Sequence, residues 1–270
     1  MTRLGISEIP PLFLATLRLG LATIVFMGAL MVLPRQLPRE SRTLADIAIV
    51  GVTSTAVPLV AFTVSLQFLS SAVLTIFIAL IPLFTAVMAH LWLPQERLTL
   101  IKAAGLSLAS GGVAILLITG TTGLVESAAG LDMRGPLLAL GGALMAAASG
   151  VYTRLRLRSV DALVVTAGQT VVAVLAVAPL ASILSAVELS AITWRGWLAV
   201  SYTGIIGSFF AFLLIFHMIR RFGATTAALP TYVMPAASAA LGVFILGEII
   251  TLPLVAGAGL ILSGVFLASR

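Results

Sequence analysis

The chain has no cysteine among its 270 residues, which excludes a disulfide framework, thiol catalysis and any cysteine-based metal site. Charge is scarce as well. Nine per cent of residues are charged, against about a quarter in an ordinary soluble domain. The two histidines, His90 and His217, stand alone, with no second histidine or carboxylate at ligand spacing, so no metal is expected. Catalytic signatures are missing too. No G-x-S-x-G, H-x-x-x-x-D or H-E-x-x-H occurs, which removes the usual nucleophile and base of an intramembrane protease or acyltransferase. Nothing calls for a cofactor.

What remains is apolar. Sixty per cent of the residues are hydrophobic and the mean hydropathy is +1.20, so the reading is a polytopic, all-α membrane bundle. Apolar runs of about 20 residues cross a bilayer as helices. Nine such spans are predicted, at 11–33, 44–66, 71–93, 99–119, 135–153, 162–184, 196–219, 224–246 and 251–269. The net charge of +6 follows the positive-inside rule rather than a nucleic-acid surface. One set of loops holds Arg35, Arg39, Arg42, Arg97, Lys102, Arg154, Arg156, Arg158, Arg220 and Arg221, joined by the tail residue Arg270. The alternate loops hold Arg3, Arg134 and Arg195. The first set is therefore read as cytoplasmic, and the C-terminus ends on that side.

The spans repeat. Gly51 precedes Pro82 by the same interval as Gly204 precedes Pro235, and GLSLASGGV from Gly105 aligns with GAGLILSGV from Gly257. Glu96-Arg97-Leu98-Thr99 matches Glu248-Ile249-Ile250-Thr251. Glu96 falls in a loop read as cytoplasmic and Glu248 in an outer one, so the copies are expected to be inverted. A substrate site is then expected near mid-membrane at the interface of the halves. A shift of 151 positions lays Thr2-Arg3-Leu4 on Thr153-Arg154-Leu155, at the end of span 135–153. The counterpart of that span would lie upstream of Met1. The organisation expected is a first half at 1–119 with four spans and its first helix missing, an outer linker at 120–134, and a second half at 135–270 with five spans. Ten spans make up the full unit.

The chain resembles the EamA-type permeases of the drug/metabolite transporter superfamily. The resemblance is carried by IPPLFLATLRLGLA at 9–22, by SSAVLTIFIALIPLFTAVMAHLWLPQERLT at 70–99 with GATTAALPTYVMPAASAALGVFILGEIIT at 223–251, and by the two glycine-rich last helices. It implies ten helices, cytoplasmic termini and carrier-mediated movement of small metabolites, often export of amino acids or related compounds. A multidrug or nucleotide-sugar carrier of the same superfamily is the alternative within transport. A multidrug carrier would carry an aromatic cavity with a buried acid. A non-transporting scaffold or an intramembrane enzyme is the alternative outside transport.

Site candidates are the polar groups at membrane depth, where they are costly and usually face a cavity or a partner. Arg18 lies about six residues into its span, roughly 9 Å along the helix axis. In a wet cavity its guanidinium would take a carboxylate or phosphate, pointing to a substrate with an anionic group. The alternative is that Arg18 snorkels or ties helix-end carbonyls. Its repeat partner is Gln169, at matching depth. Tyr232 offers a hydroxyl and a ring face, or simply packs. His217 offers a titrating imidazole or an interfacial hydrogen bond. Pro82 and Pro235 are candidate hinges, or curve their helices around the core. Gly105, Gly111, Gly112, Gly257, Gly259 and Gly264 are expected to pack helices closely. Tyr152, Trp92, Trp194 and Trp197, at span ends, are read as interface anchors. All nine acidic residues fall in loops or in the first turn of a span. No mid-membrane carboxylate is expected, which favours facilitated transport over ion coupling.

Overall fold

Proline and short polar side chains set where the helices begin. Pro11 opens a helix at the position where its missing N–H is no loss. Ser70 and Thr193 cap others by accepting the N–H groups of Val73 and Arg195, at 3.2 Å each. A computed structural model of the chain describes residues 2–6, 8–33, 35–92, 100–119, 132–184, 192–222, 234, 241 and 251–268.

In order, the elements are α1 (Thr2–Ile6), α2 (Pro11–Val32), α3 (Ser41–Val50), the π-helical turn π1 (Gly51–Ala56), α4 (Val57–Ser65), α5 (Ser71–Ile78), α6 (Ile81–Trp92), α7 (Leu100–Ile118), α8 (Arg134–Arg156), α9 (Ala162–Leu184), α10 (Trp194–Gly204), π2 (Ile205–Phe210), α11 (Ala211–Phe222) and α12 (Leu252–Ala268). Helices thus cover eight of the nine predicted spans. The remaining one, 224–246, lies outside the described residues apart from Met234 and Leu241. No strand occurs among the described residues. Among the described residues, six helical stretches are long and apolar enough to cross a membrane. Ile24 and Leu175, in the middle of two of them, are each 69% exposed. In water such side chains would be a liability. In hydrocarbon they are solvated, while every backbone polar group is satisfied within its helix.

One span departs from its predicted start. The helix carrying 44–66 begins at Ser41, because Glu40 holds an extended backbone and accepts a hydrogen bond from the Thr43 hydroxyl at 3.1 Å. Asp46 therefore lies in the second helical turn, not the first, and is buried. In the span 71–93 the helix breaks at Ala79–Leu80, two residues before Pro82. Pro82 cannot donate to the Ile78 carbonyl and its ring crowds it. Leu80 N–H turns instead to the Phe77 carbonyl at 3.1 Å.

The chain forms two compact units. One comprises Met1–Thr63 and Tyr152–Ala227. Here α2 and α9 pack along their lengths, Ala15 and Leu19 meeting Ala173 and Val177, while Ala22 and Phe26 meet Leu163 and Ala167. The other comprises Val64–Val151 and Ala228–Arg270. Its tightest contact joins α7 to α12. A Cβ added to Gly112 would lie 2.6 Å from the Gly257 carbonyl oxygen, and one added to Gly264 would lie 2.5 Å from that of Gly105. Only glycine lets the two backbones come this close. Gly257 carries the same restriction, against the Leu116 side chain at 2.8 Å. Gly111 and Gly259 face the other way, and a Cβ added to either would meet nothing within 4 Å.

Candidate substrate site

Both π-turns lie in the first unit, and a helix crosses each one. A π-turn inserts one residue into an α-helix and frees backbone carbonyls; such turns are frequent at functional sites. At π1 the Val57 N–H reaches back five residues to the Val52 carbonyl. Pro58 follows at once and has no N–H of its own to continue the α pattern.

The crossing at π2 is made by α2. A Cβ on Gly204 would lie 3.1 Å from the Arg18 carbonyl oxygen and 3.0 Å from the Leu21 side chain, so small size at Gly204 sets the approach. Arg18, 8% exposed, spends its donors on the turn. Its Nε donates to Ser208 Oγ at 3.2 Å, and its Nη2 donates to Ser208 Oγ at 3.1 Å and to the Gly207 carbonyl at 3.4 Å. The Ser208 hydroxyl in turn donates to the Thr203 carbonyl at 3.1 Å. No carboxylate bonds Arg18 among the described residues. Its described partners are all neutral oxygens.

The crossing at π1 is made by α9 with corresponding residues. A Cβ on Gly51 would lie 2.9 Å from the Gln169 carbonyl oxygen and 2.8 Å from Val172 Cβ. Arg18 and Gln169, like Leu21 and Val172, correspond at a shift of 151 positions, and Gly51 and Gly204, like Thr55 and Ser208, at a shift of 153. The side chains differ in their state. Gln169 is fully buried, and neither its Oε1 nor its Nε2 has a hydrogen-bond partner; the Thr55 hydroxyl is buried and unpartnered too. Neighbouring hydroxyls on Thr16, Thr23, Thr63, Thr166, Thr170 and Thr203 bond back to the carbonyl four residues earlier. Thr53, inside the same π-turn as Thr55, also bonds back, to the Ile49 carbonyl at 2.7 Å, so Thr55 stands apart from its neighbours.

Of the other candidates, His217 lies apart from both crossings. It lines a groove of about 500 Å³ with Arg35, Asp161, Phe209 and Phe210. Tyr232 and Pro235 lie outside the described residues. Two groups were not legible as partners from the sequence. Ser208 is one, although the repeat shift that lays it on Thr55 marks both hydroxyls. The other is the pair of Tyr152 and Asp46, in which the phenol donates to Asp46 Oδ1 at 2.6 Å from a neighbouring helix. No group of three or more metal-ligating side chains occurs among the described residues.

Apolar helices with hydrocarbon-facing surfaces, and polar groups held at their crossings, define a polytopic membrane helical bundle. The EamA-like transporter family matches residues 1–118 and 133–270, and the chain belongs to that family. It is a multi-pass membrane transporter for a small-molecule substrate. It is 23% identical to the uncharacterized transporter YoaV of Bacillus subtilis (strain 168), over 98% of this chain and 89% of that one. It is also 23% identical to an uncharacterized transporter of Archaeoglobus fulgidus, over 98% of this chain and 91% of the relative. A protein of known crystal structure shares the fold with a TM-score of 0.72, at 21% identity over 98% of this chain and 88% of the other.

Proposed function

We propose that the protein exports amino acids or related small metabolites carrying an anionic group, by alternating access at a mid-membrane site where the two halves of the sequence meet. The observation that carries this reading is the buried Arg18 guanidinium, clasped by Ser208 and Gly207 with no carboxylate bonded to it. A buried cation held by neutral dipoles retains its charge for an incoming anion, whereas one paired with a carboxylate is already neutralised. The clasp joins α2 of the first half to π2 of the second.

The asymmetry of the two crossings supports alternation. The Arg18–Ser208 crossing is bonded, while the corresponding Gln169–Thr55 crossing is not. Leaving buried polar groups unpaired costs about 1–3 kcal/mol each. An exchange that closes the second clasp and loosens the first regains that energy and releases Arg18 donors to substrate. Pro82, beside the helix break at Ala79–Leu80, is the hinge proposed for the first half, and Pro235 for the second. The arginine-rich loops support a cytoplasmic C-terminus. The 14 to 1 ratio of arginine to lysine fits a bacterial gene, hence the inner membrane.

Uptake of labelled amino acids and organic anions into proteoliposomes tests the reading, with Arg18→Ala alongside the parent chain. Saturable uptake that falls at least tenfold in Arg18→Ala is expected, since a charge-assisted hydrogen bond contributes about 1.5–3 kcal/mol. If every anionic substrate moves equally well without Arg18, its binding role is wrong.

A further inference from the structure

The groove that contains His217 has a composition of its own. One wall is α2 at Ala29 and Leu33, another is the start of α9, and the third is π2 with α11 at Phe210 and Leu214. Leu33, Phe210 and Leu214 are each more than half exposed, on the surface that a bilayer's hydrocarbon would cover. At one end stand Arg35, Asp161 and His217. There the groove meets a second recess of about 870 Å³, lined by Arg35, Gln36, Leu37 and Arg39, so that Arg35 belongs to both. Asp161 is committed to the helix it caps, its Oδ1 accepting the Leu163 N–H at 2.9 Å. Neither Arg35 nor Arg39 has an ion-pair partner among the described residues.

An apolar trough open to hydrocarbon, ending in two unpaired guanidiniums at a span terminus, matches one kind of molecule. We propose that it holds an anionic phospholipid, with an acyl chain along Leu33, Phe210 and Leu214 and the phosphate on Arg35 and Arg39. Guanidinium binds phosphate bidentately, and basic pockets between membrane helices are suited to anionic headgroups. A soluble metabolite would gain nothing from the apolar walls, and a zwitterionic lipid would bring its own headgroup cation up to the two arginines, offsetting the attraction of its phosphate. The groove shares α2 and π2 with the Arg18 crossing but has neither Arg18 nor Ser208 in its lining, and it does not depend on the proposed substrate.

The test titrates the purified full-length chain in detergent with phosphatidylglycerol, phosphatidylcholine or inorganic phosphate, reading thermal stability and lipid retention by native mass spectrometry. Phosphatidylglycerol is expected to raise the midpoint saturably and to remain bound, with phosphatidylcholine and inorganic phosphate doing neither. Arg35→Gln with Arg39→Gln should weaken the apparent lipid affinity about 25-fold, roughly fivefold for each basic residue at a membrane surface. Arg35→Lys with Arg39→Lys should retain most of it. Each single glutamine variant, expected to lose about fivefold, carries the test if the double variant does not fold. Equal protection by phosphatidylcholine, equal protection by inorganic phosphate, or glutamine variants that bind as the parent does would each overturn the proposal.

Discussion

The Tyr152 phenol donates to Asp46 across two helices at 2.6 Å. It ties the end of α8 to α3 above a cluster of Ile47, Val50, Leu157 and Phe216. A phenol donating to a carboxylate in a partly buried position contributes about 1.5 kcal/mol, the lower end of the range for bonds to charged groups. Tyr152→Phe should destabilise by about that amount. Asp46→Asn keeps an acceptor and should cost less. A double-mutant cycle on thermal unfolding in detergent is expected to give coupling near 1 kcal/mol; additive losses would show that the two side chains act independently. The sequence carried neither end of this bond. Hydropathy starts the span at the first apolar residue, whereas the helix begins in the polar Ser41-Arg42-Thr43, and a tyrosine at a span end reads as an interfacial anchor whether or not a carboxylate lies opposite.

At the scale of elements, position was far more legible than irregularity. Expectations of 11–33 and 162–184 stand against helices Pro11–Val32 and Ala162–Leu184, because apolar runs bounded by prolines and aspartates leave little freedom at their ends. The π-turns left no trace in hydropathy, since an inserted residue in an apolar run is apolar too. The glycines show a related limit. In Gly111-Gly112 adjacent residues point about 100° apart around the helix, so composition cannot say which one faces α12. Gly112→Ala and Gly264→Ala must push backbone from backbone and should lower the unfolding midpoint. Gly111→Ala and Gly259→Ala meet open space and should instead stabilise by about 0.5–1 kcal/mol through helix propensity. Equal effects from the two pairs would mean that the close approach of α7 and α12 is absent in the membrane.

For the whole molecule, repetition in the sequence pointed to Arg18 and Gln169 without revealing their state. Arg18 and Gln169 were singled out by depth and repeat, yet one is clasped and the other unpartnered. That difference depends on side-chain length and on which conformer is populated, neither of which a periodic pattern records. The clasp also has an electrical consequence. A guanidinium with no counter-ion among the described residues is a fixed positive charge inside the membrane field, where moving one elementary charge across the full potential changes the energy by about 2.3 kcal/mol per 100 mV. With a monoanionic substrate on Arg18 the moving charge cancels; without it, the return step carries whatever fraction of the field the guanidinium crosses. Imposed potassium-diffusion potentials across proteoliposomes should therefore change net flux, which includes the unloaded return, and leave substrate-for-substrate exchange nearly unaffected. In Arg18→Gln a monoanionic substrate crosses with its own uncompensated charge, so residual net flux should stay voltage-dependent while substrate-for-substrate exchange becomes sensitive to the potential. On the proposed substrate reading, a buried arginine that no carboxylate of the described residues pairs would make the resting membrane potential a participant in the transport cycle.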